Sequence, residues 1–478
     1  GNALENLALD IAGVFRERTN LIFINSRGTG EMLTDELNEL SKKERWPRNP
    51  FLLHHGSLSK EIREEVEERL KEGEQLSVFC TSTLEMGIDI GSVHSVGQLG
   101  PPWSVASLVQ RLGRSGRREG ESSILRLFSL DPPPGPASTP DELLCPQLIR
   151  SIAMVELLRE KWLEPFDSGV PQFSTLIHQT LSLLRQTGGC HFVKLRDTLL
   201  VHGAFREVTI AQYKSLLKSL AAHELIEQMA SNEIILSPGG ERITHSRDFY
   251  AAFQGTTEYA IRCGQLDIGK LPQTSLPQEG ENFLLNGRRW KVEQIDPKSL
   301  VVEVTPARSR KMPIFLGAAG AVHSRIAAKM AEILQDEEVP VYLHSDAASL
   351  LQSARAYAAT NEIFRKPFLE KTGRCILVPW TGSKGLETLK VFATAAGIET
   401  ARKNLTLTYI CSPADLQEHL EKVAGGFFQA TDHAAKVSER YVDKYDSYVP
   451  DDLLDLANSV RALSQEEAVA AAKAVLAR

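Results

Sequence analysis

The residues best equipped for chemistry are the arginines of Gln110-Arg111-Leu112-Gly113-Arg114-Ser115-Gly116-Arg117-Arg118. Arg114 and Arg117 stand three apart, each preceded by a glycine. Glycine lets the backbone approach a ligand closely, and planar guanidinium forks take phosphate oxygens two at a time. A Gly/Arg-rich stretch can also be a solvated basic turn, so its neighbours decide. Three earlier segments share its character: Asn25-Ser26-Arg27-Gly28, His55-Gly56-Ser57 and Thr81-Ser82-Thr83-Leu84-Glu85-Met86-Gly87-Ile88-Asp89. Each follows a short apolar run and offers hydroxyls, glycine or a cation, the groups that cradle phosphate beside backbone amides.

The elements that must hold these segments read as alternating strands and helices. Residues 21–24, 51–54, 76–80, 93–96 and 123–128 form short apolar runs suited to buried strands. Between them lie helical patterns, notably 60–71, with Ser59 as cap and Gly73 as stop. Strands separated by helices give a parallel, doubly wound sheet, whose ligands sit beyond the carboxyl ends of the strands. All four candidate segments fall at that edge.

Composition sets outer limits. With 478 residues the chain exceeds one ordinary core, and three or four domains are expected. The formal net charge of -7 means that nucleic-acid contact has to come from local basic patches. Six scattered cysteines, without a Cys-x-x-Cys pair, argue against zinc and against a disulfide framework; no metal site is expected, and a reducing cytoplasm is. No apolar run reaches a membrane span and no signal pattern opens the chain, so no membrane partner is expected. The initial Gly1 fits a piece cut from a longer protein.

A polar, proline-rich stretch at 131–142 reads as a linker after a first domain at 1–130. Helical patterns at 143–163, 175–186 and 210–227, then strand, turn and strand over 233–242, suggest a winged-helix module at 143–250; a packing spacer is the alternative. From 251 to 478 the pattern is mixed. Asn286-Gly287 marks a hairpin between strands, followed by a third strand to 304, giving a small twisted sheet or barrel. Trp290 alternates with basic residues there and could stack on a base or fill the core. Arg308-Ser309-Arg310-Lys311, with the loop carrying Phe315, suits single-strand binding. Helices follow at 324–338, 347–360, 386–396 and 465–476, with strands at 375–380 and 405–410. Gly264 to Leu271 approaches a phosphate-loop pattern, but Leu271 stands where a magnesium-binding hydroxyl belongs; it reads as a chance match.

The motif order resembles the second RecA-like domain of a superfamily 2 helicase, with motif IV at 21–27, motif V at 81–89 and motif VI at 110–117. The tail, through 287–292, 342–347, 378–382 and 450–454, resembles the DEAD/H-associated domain of the large helicase-related family. The fold class so implied is an α/β RecA-like parallel-sheet domain, then a mainly α winged-helix domain, then an α+β domain with a small β-barrel or twisted sheet. The resemblance also implies roles. Arg114 and Arg117 would be arginine fingers on the ATP γ-phosphate, assisted by Gln110, with Gly87 and Asp89 near nucleotide and ribose. Arg27, Ser57, Thr81 and Ser82 would hold nucleic-acid phosphates, joined by Arg308, Arg310 and the stacking Phe315. ATP and Mg2+ would bind only together with a first RecA-like domain, whose phosphate loop and metal box are missing from this sequence; the chain alone should not hydrolyse ATP. Family members are ATP-driven 3′-to-5′ DNA translocases that unwind duplexes, RNA:DNA hybrids included, and are associated with DNA repair. An RNA helicase portion, or a nucleic-acid-binding adaptor that kept the motor fold, are the alternatives.

Overall fold

Strand β1 (Asn20–Ile24) is buried along its whole length and takes the centre of a parallel sheet. Helix α1 (Ala3–Phe15) precedes it, and α2 (Arg27–Lys43), β2 (Phe51–His54), α3 (Lys60–Lys71), β3 (Ser77–Cys80), β4 (Ser95–Leu99), α4 (Val105–Leu112) and β5 (Leu125–Phe128) follow. The order is β2-β3-β1-β4-β5, every neighbour parallel. A computed structural model of the chain describes residues 3–85, 90–91, 93–117, 120–166, 169–253, 255, 257–307, 320–371, 373–436 and 440–478. Alternation sends Leu21 and Phe23 to one face of the sheet and Ile22 and Ile24 to the other, each into its own core. At the amino edge Asn20 ties the sheet together: its amide donates to Ser77 Oγ at 2.9 Å, and its oxygen accepts from Ser95 Oγ at 2.6 Å. The fourth strand lies two residues later than expected at 93–96. Ser95, not Val93, pairs with Asn20, and Val93 makes only an isolated bridge to Ser115.

The expected linker at 131–142 already ends in a helix, α5 (Pro140–Leu143), and its Asp131 caps the first amides of α6 (Pro146–Arg159), at 3.0 Å from Gln147 N and 2.7 Å from Leu148 N. Then follow α7 (Phe173–Thr187), β6 (Cys190–His191), α8 (Phe192–Arg196), α9 (Ile210–Ala222), β7 (Ile226–Gln228), β8 (Glu233–Leu236) and α10 (Pro238–His245). Two expectations are corrected here. The helix expected to run to 227 stops at Ala222, because Glu224 adopts a φ of 56° and the chain turns back as β7. The second strand expected after Gly240 is a helix begun by Pro238, a residue suited to a first helical turn. The hairpin is therefore β7–β8, with β6 on the other side of β8.

A second five-stranded sheet, order β10-β9-β13-β12-β11, is built from β9 (Glu258–Cys263), β10 (Leu266–Pro272), β11 (Asn282–Leu285), β12 (Arg288–Asp296) and β13 (Val301–Pro306). The phosphate-loop look-alike lies in the β9–β10 hairpin, followed by a short 3-10 turn at Gln273–Ser275 where a phosphate loop would open an α-helix. Trp290 is core: it is 5% exposed and its indole N–H donates to the Leu285 carbonyl at 2.9 Å, which leaves no face for a base. Helices α11 (Ser324–Gln335) and α12 (Ser345–Thr360) follow. The remaining chain supplies β14 (Leu369–Lys371), β15 (Arg374–Leu377), α13 (Ser383–Ala395), β16 (Glu399–Lys403), β17 (Thr406–Ile410), α14 (Pro413–Ala424), α15 (Asp451–Ala462) and α16 (Gln465–Leu476), with strand order β14-β15-β17-β16.

Packing groups these segments into two units, residues 1–164 with 256–360, and residues 165–255 with 361–478. The segments expected as 143–250 and 251–478 thus each contribute to both. In the first unit the second sheet shares a core with the parallel sheet: Ile22, Leu37 and Leu53 pack in one cluster with Ile261, Phe283 and Val304. In the second unit Leu453 and Leu454 of α15 join the core of α7 and α9, while α13, α14 and α16 cover β15 and β17.

Candidate nucleotide and nucleic-acid site

The carboxyl edge of the parallel sheet gathers the candidate residues of the first unit. Helix α4 carries Gln110 and Arg111 in its last turn, and Gly113 ends it. Val105, Leu108 and Arg111 recur every three residues on the buried face, so Arg111 points inward while Gln110 is exposed. Arg111 donates to the Glu85 carboxylate from Nε at 3.3 Å and from Nη2 at 3.0 Å. It also donates to Gln98 Oε1 and lies 4.9 Å over the Phe23 ring. Arg114 is half-buried, and its fork donates to the Glu85 backbone carbonyl, from Nε at 3.0 Å and again from Nη2. Glu85 therefore holds one arginine by its side chain and the next by its main chain.

Arg117 is exposed and its Nε donates to the Gly113 carbonyl at 3.1 Å. Burial, and after it the neighbouring charge of Arg117, push the Arg114 guanidinium below its ordinary range. Two like charges set side by side form a place for an anion. Gly116 sets their spacing: its φ is +63°, and a Cβ there would lie 2.5 Å from Ser123 N.

The other candidates cluster at the ends of β1, β2 and β3. Ser26 caps α2, accepting from Thr29 N at 3.2 Å, and places exposed Arg27 at the first position of the helix. Arg27 Nη1 donates to Ser57 Oγ. Ser57 is 3% exposed, so its hydroxyl serves Arg27 and does not face solvent as expected of a direct phosphate ligand. Thr81 is half-buried and Ser82 exposed, at the start of a short 3-10 turn to Leu84. Behind them His54 joins Thr83 Oγ1 and Glu67 Oε1, each at 2.8 Å. Burial lowers the pKa of His54 in spite of Glu67.

The structure thus brings Arg27 to Ser57 and Arg114 to Glu85, in the middle of the 81–89 stretch. Gly87, Asp89, Arg308, Arg310 and Phe315 lie outside the described residues. Sequence reasoning missed Arg111, Glu85 and Gln98, the buried links between motifs. A signal for Arg111 existed: it continues the three-residue spacing of Val105 and Leu108, the apolar face of its helix. Among the described residues no helix is long and apolar enough to cross a membrane.

Residues 4–119 match the model of the helicase conserved C-terminal domain. The Lhr helicase/uracil glycosylase of Escherichia coli is 28% identical over 359 residues, covering 64% of this chain and 22% of that protein. The ATP-dependent helicase Lhr-Core of Methanothermobacter thermautotrophicus is 28% identical over 331 residues, covering 64% of this chain and 35% of the relative. The chain therefore spans about a fifth to a third of the length of these relatives. In fold it is similar to the Mycobacterium smegmatis helicase Lhr bound to ssDNA and AMP-PNP, with a TM-score of 0.60 at 19% identity over 98% of this chain and 64% of that one. Residues 4–119 thus carry a helicase conserved C-terminal domain, and the chain as a whole is similar to helicases of the Lhr type and shares their α/β fold.

Proposed function

We propose that this chain supplies the arginine-bearing half of the ATP site, and one wall of the strand track, of a 3′-to-5′ DNA helicase acting in DNA repair. The observation that carries the reading is the division of labour among three arginines: Arg111 is buried as an anchor, while Arg114 and Arg117 reach the open edge of the sheet. Their crowded positive charges fit a triphosphate. ATP with Mg2+, held by a first RecA-like lobe, supplies the γ-phosphate for transfer to water. Arg114 and Arg117 bind its oxygens and offset the charge that develops in the loose transition state, with exposed Gln110 beside them. Glu85 keeps Arg114 aimed, so little reorganisation is needed when the lobes close. Gly87 and Asp89 complete the nucleotide side.

On the strand side, Arg27 binds a backbone phosphate with Ser57 fixing its fork from behind, and Thr81 and Ser82 offer hydroxyls at the end of β3. Arg308, Arg310 and Phe315, outside the described residues, add the further strand contacts that the resemblance implies, and α7, α9 and α10 with the β7–β8 hairpin act as a winged helix. The ligand pair is supported by the Mycobacterium smegmatis relative of the same fold, which binds ssDNA and AMP-PNP. The test is Arg114→Ala or Arg117→Ala in the protein carrying both lobes. Hydrolysis should fall by roughly 10³-fold or more, with single-strand affinity kept. Hydrolysis that persists, or binding lost while hydrolysis survives, refutes the assignment.

A further inference from the structure

The β9–β10 hairpin, from Gly264 to Leu271, looks like a phosphate loop in sequence and is not one in structure. Its second strand has a different neighbour. The Lys270 N–H donates to the Ser57 carbonyl at 2.7 Å, and the Ser59 N–H donates to the Ile268 carbonyl at 3.2 Å, with Leu58 bridged to Gly269 between them. Strand β10 is thus an added edge on the loop that carries Ser57. The approach is close enough to require glycine at 269, where a Cβ would collide with the Ser57 carbonyl and lie 3.2 Å from Leu58 Cα.

The two residues flanking Gly269-Lys270 are anchored: Ile268 and Leu271 are in the core shared by both sheets. Lys270 itself is exposed and, among the described residues, takes part in no ion pair. Its backbone is therefore fixed against Ser57 while its ammonium is left to solvent. On the side-chain face of the same serine stands Arg27, also exposed, donating to Ser57 Oγ. Two residues that carry cations, one on α2 and one on β10, thus meet the same loop residue, Arg27 through its side chain and Lys270 through its backbone.

We propose that Lys270 is a second phosphate contact beside Arg27, so that the Gly-Lys pair which mimics a nucleotide-binding loop grips the backbone of a single-stranded nucleic acid. The proposal rests on the strand-binding role given to Arg27 above. A lysine serves here as a compact point charge, which asks for no fixed orientation of the phosphate it meets. A backbone phosphate sliding past during translocation needs only such a contact.

The experiment uses the whole 478-residue chain and a fluorescein-labelled oligothymidylate, with affinity measured against salt concentration. Lys270→Ala should weaken binding several-fold at low salt and flatten the log–log salt slope by about 0.7, the effect of one lost phosphate contact on a single strand. Lys270→Arg should restore both. The side chain is exposed, so thermal melting of the variants should match the parent. If Arg27→Ala loses affinity and Lys270→Ala keeps both affinity and slope, Lys270 lies off the track and this proposal falls alone. If neither variant changes binding, the strand-binding role of Arg27 falls with it. Equal loss in Lys270→Ala and Lys270→Arg, with a lowered melting temperature, marks a packing role and also overturns the proposal.

Discussion

Arg111 and Arg114 donate to the two ends of one residue, Glu85, and their different burial fixes what each can do. Arg111 is 6% exposed and paired with a carboxylate that is itself 7% exposed. Arg111→Ala would strand that carboxylate without its partner, at a cost of roughly 3–5 kcal/mol; urea unfolding of the chain should show it as a lower midpoint. A buried pair of this kind adds little net stability over a well-packed apolar pair. Its value here lies in locking motif VI to motif V, so Arg114 inherits a fixed position. Gly116→Ala tests the neighbouring turn. A side chain at φ +63° against the Ser123 amide costs more than about 1 kcal/mol, and would move Arg117. Thermal melting should fall, and hydrolysis in the two-lobed protein should fall with it.

At the scale of elements, α2 is the part on which the first unit converges. The Glu31 carboxylate on α2 accepts from Asn286 N at 2.8 Å, Gly287 N at 2.6 Å and His55 Nε2 at 2.9 Å. One buried side chain thus ties the turn of the β11–β12 hairpin to the helix that presents Arg27. Glu31→Ala would leave two amides in a buried site without an acceptor, costing roughly 1–3 kcal/mol for each unsatisfied group. Hydrogen exchange at residues 286 and 287 should quicken before global unfolding. Much of this architecture was legible in the sequence. Helix α3 spans its expected residues because Ser59 marks its start, and α16 does because alanine-rich helix formers follow a Ser464 cap. The Asn286-Gly287 turn was equally plain. The three-residue strand β7 and the two-residue strand β6 were not, since pairing with β8, and no local pattern, makes them strands. Glu31 was invisible for the same reason: two of its three partners are more than 200 positions away in the chain. An exposed acidic helix face and a buried carboxylate look alike until the fold brings donors to one of them.

At the scale of the whole molecule, a histidine of the second unit adds to the acid sensitivity that buried His54 gives the first. His419 is 3% exposed, and neither ring nitrogen has a hydrogen-bond partner among the described residues. It lies between Tyr409 and Phe428, and burial, followed by the charge of Lys422, pushes its pKa down to about 4. Below about pH 6.5 the unfolded chain gains a proton that the folded chain refuses until about 4. Stability therefore falls as pH drops through that window, by on the order of 3 kcal/mol in all. His419→Phe should flatten that part of a melting-temperature profile against pH; an unchanged profile would contradict the assignment. The shared core of the first unit has a practical consequence. A fragment trimmed at residue 130 to isolate the nucleotide-binding lobe would strip Ile261, Phe283, Trp290 and Val304 from Ile22 and Leu53. Such a lobe would carry a bare oily flank into water, and it should precipitate on expression unless the strands from 258 to 306 are supplied with it.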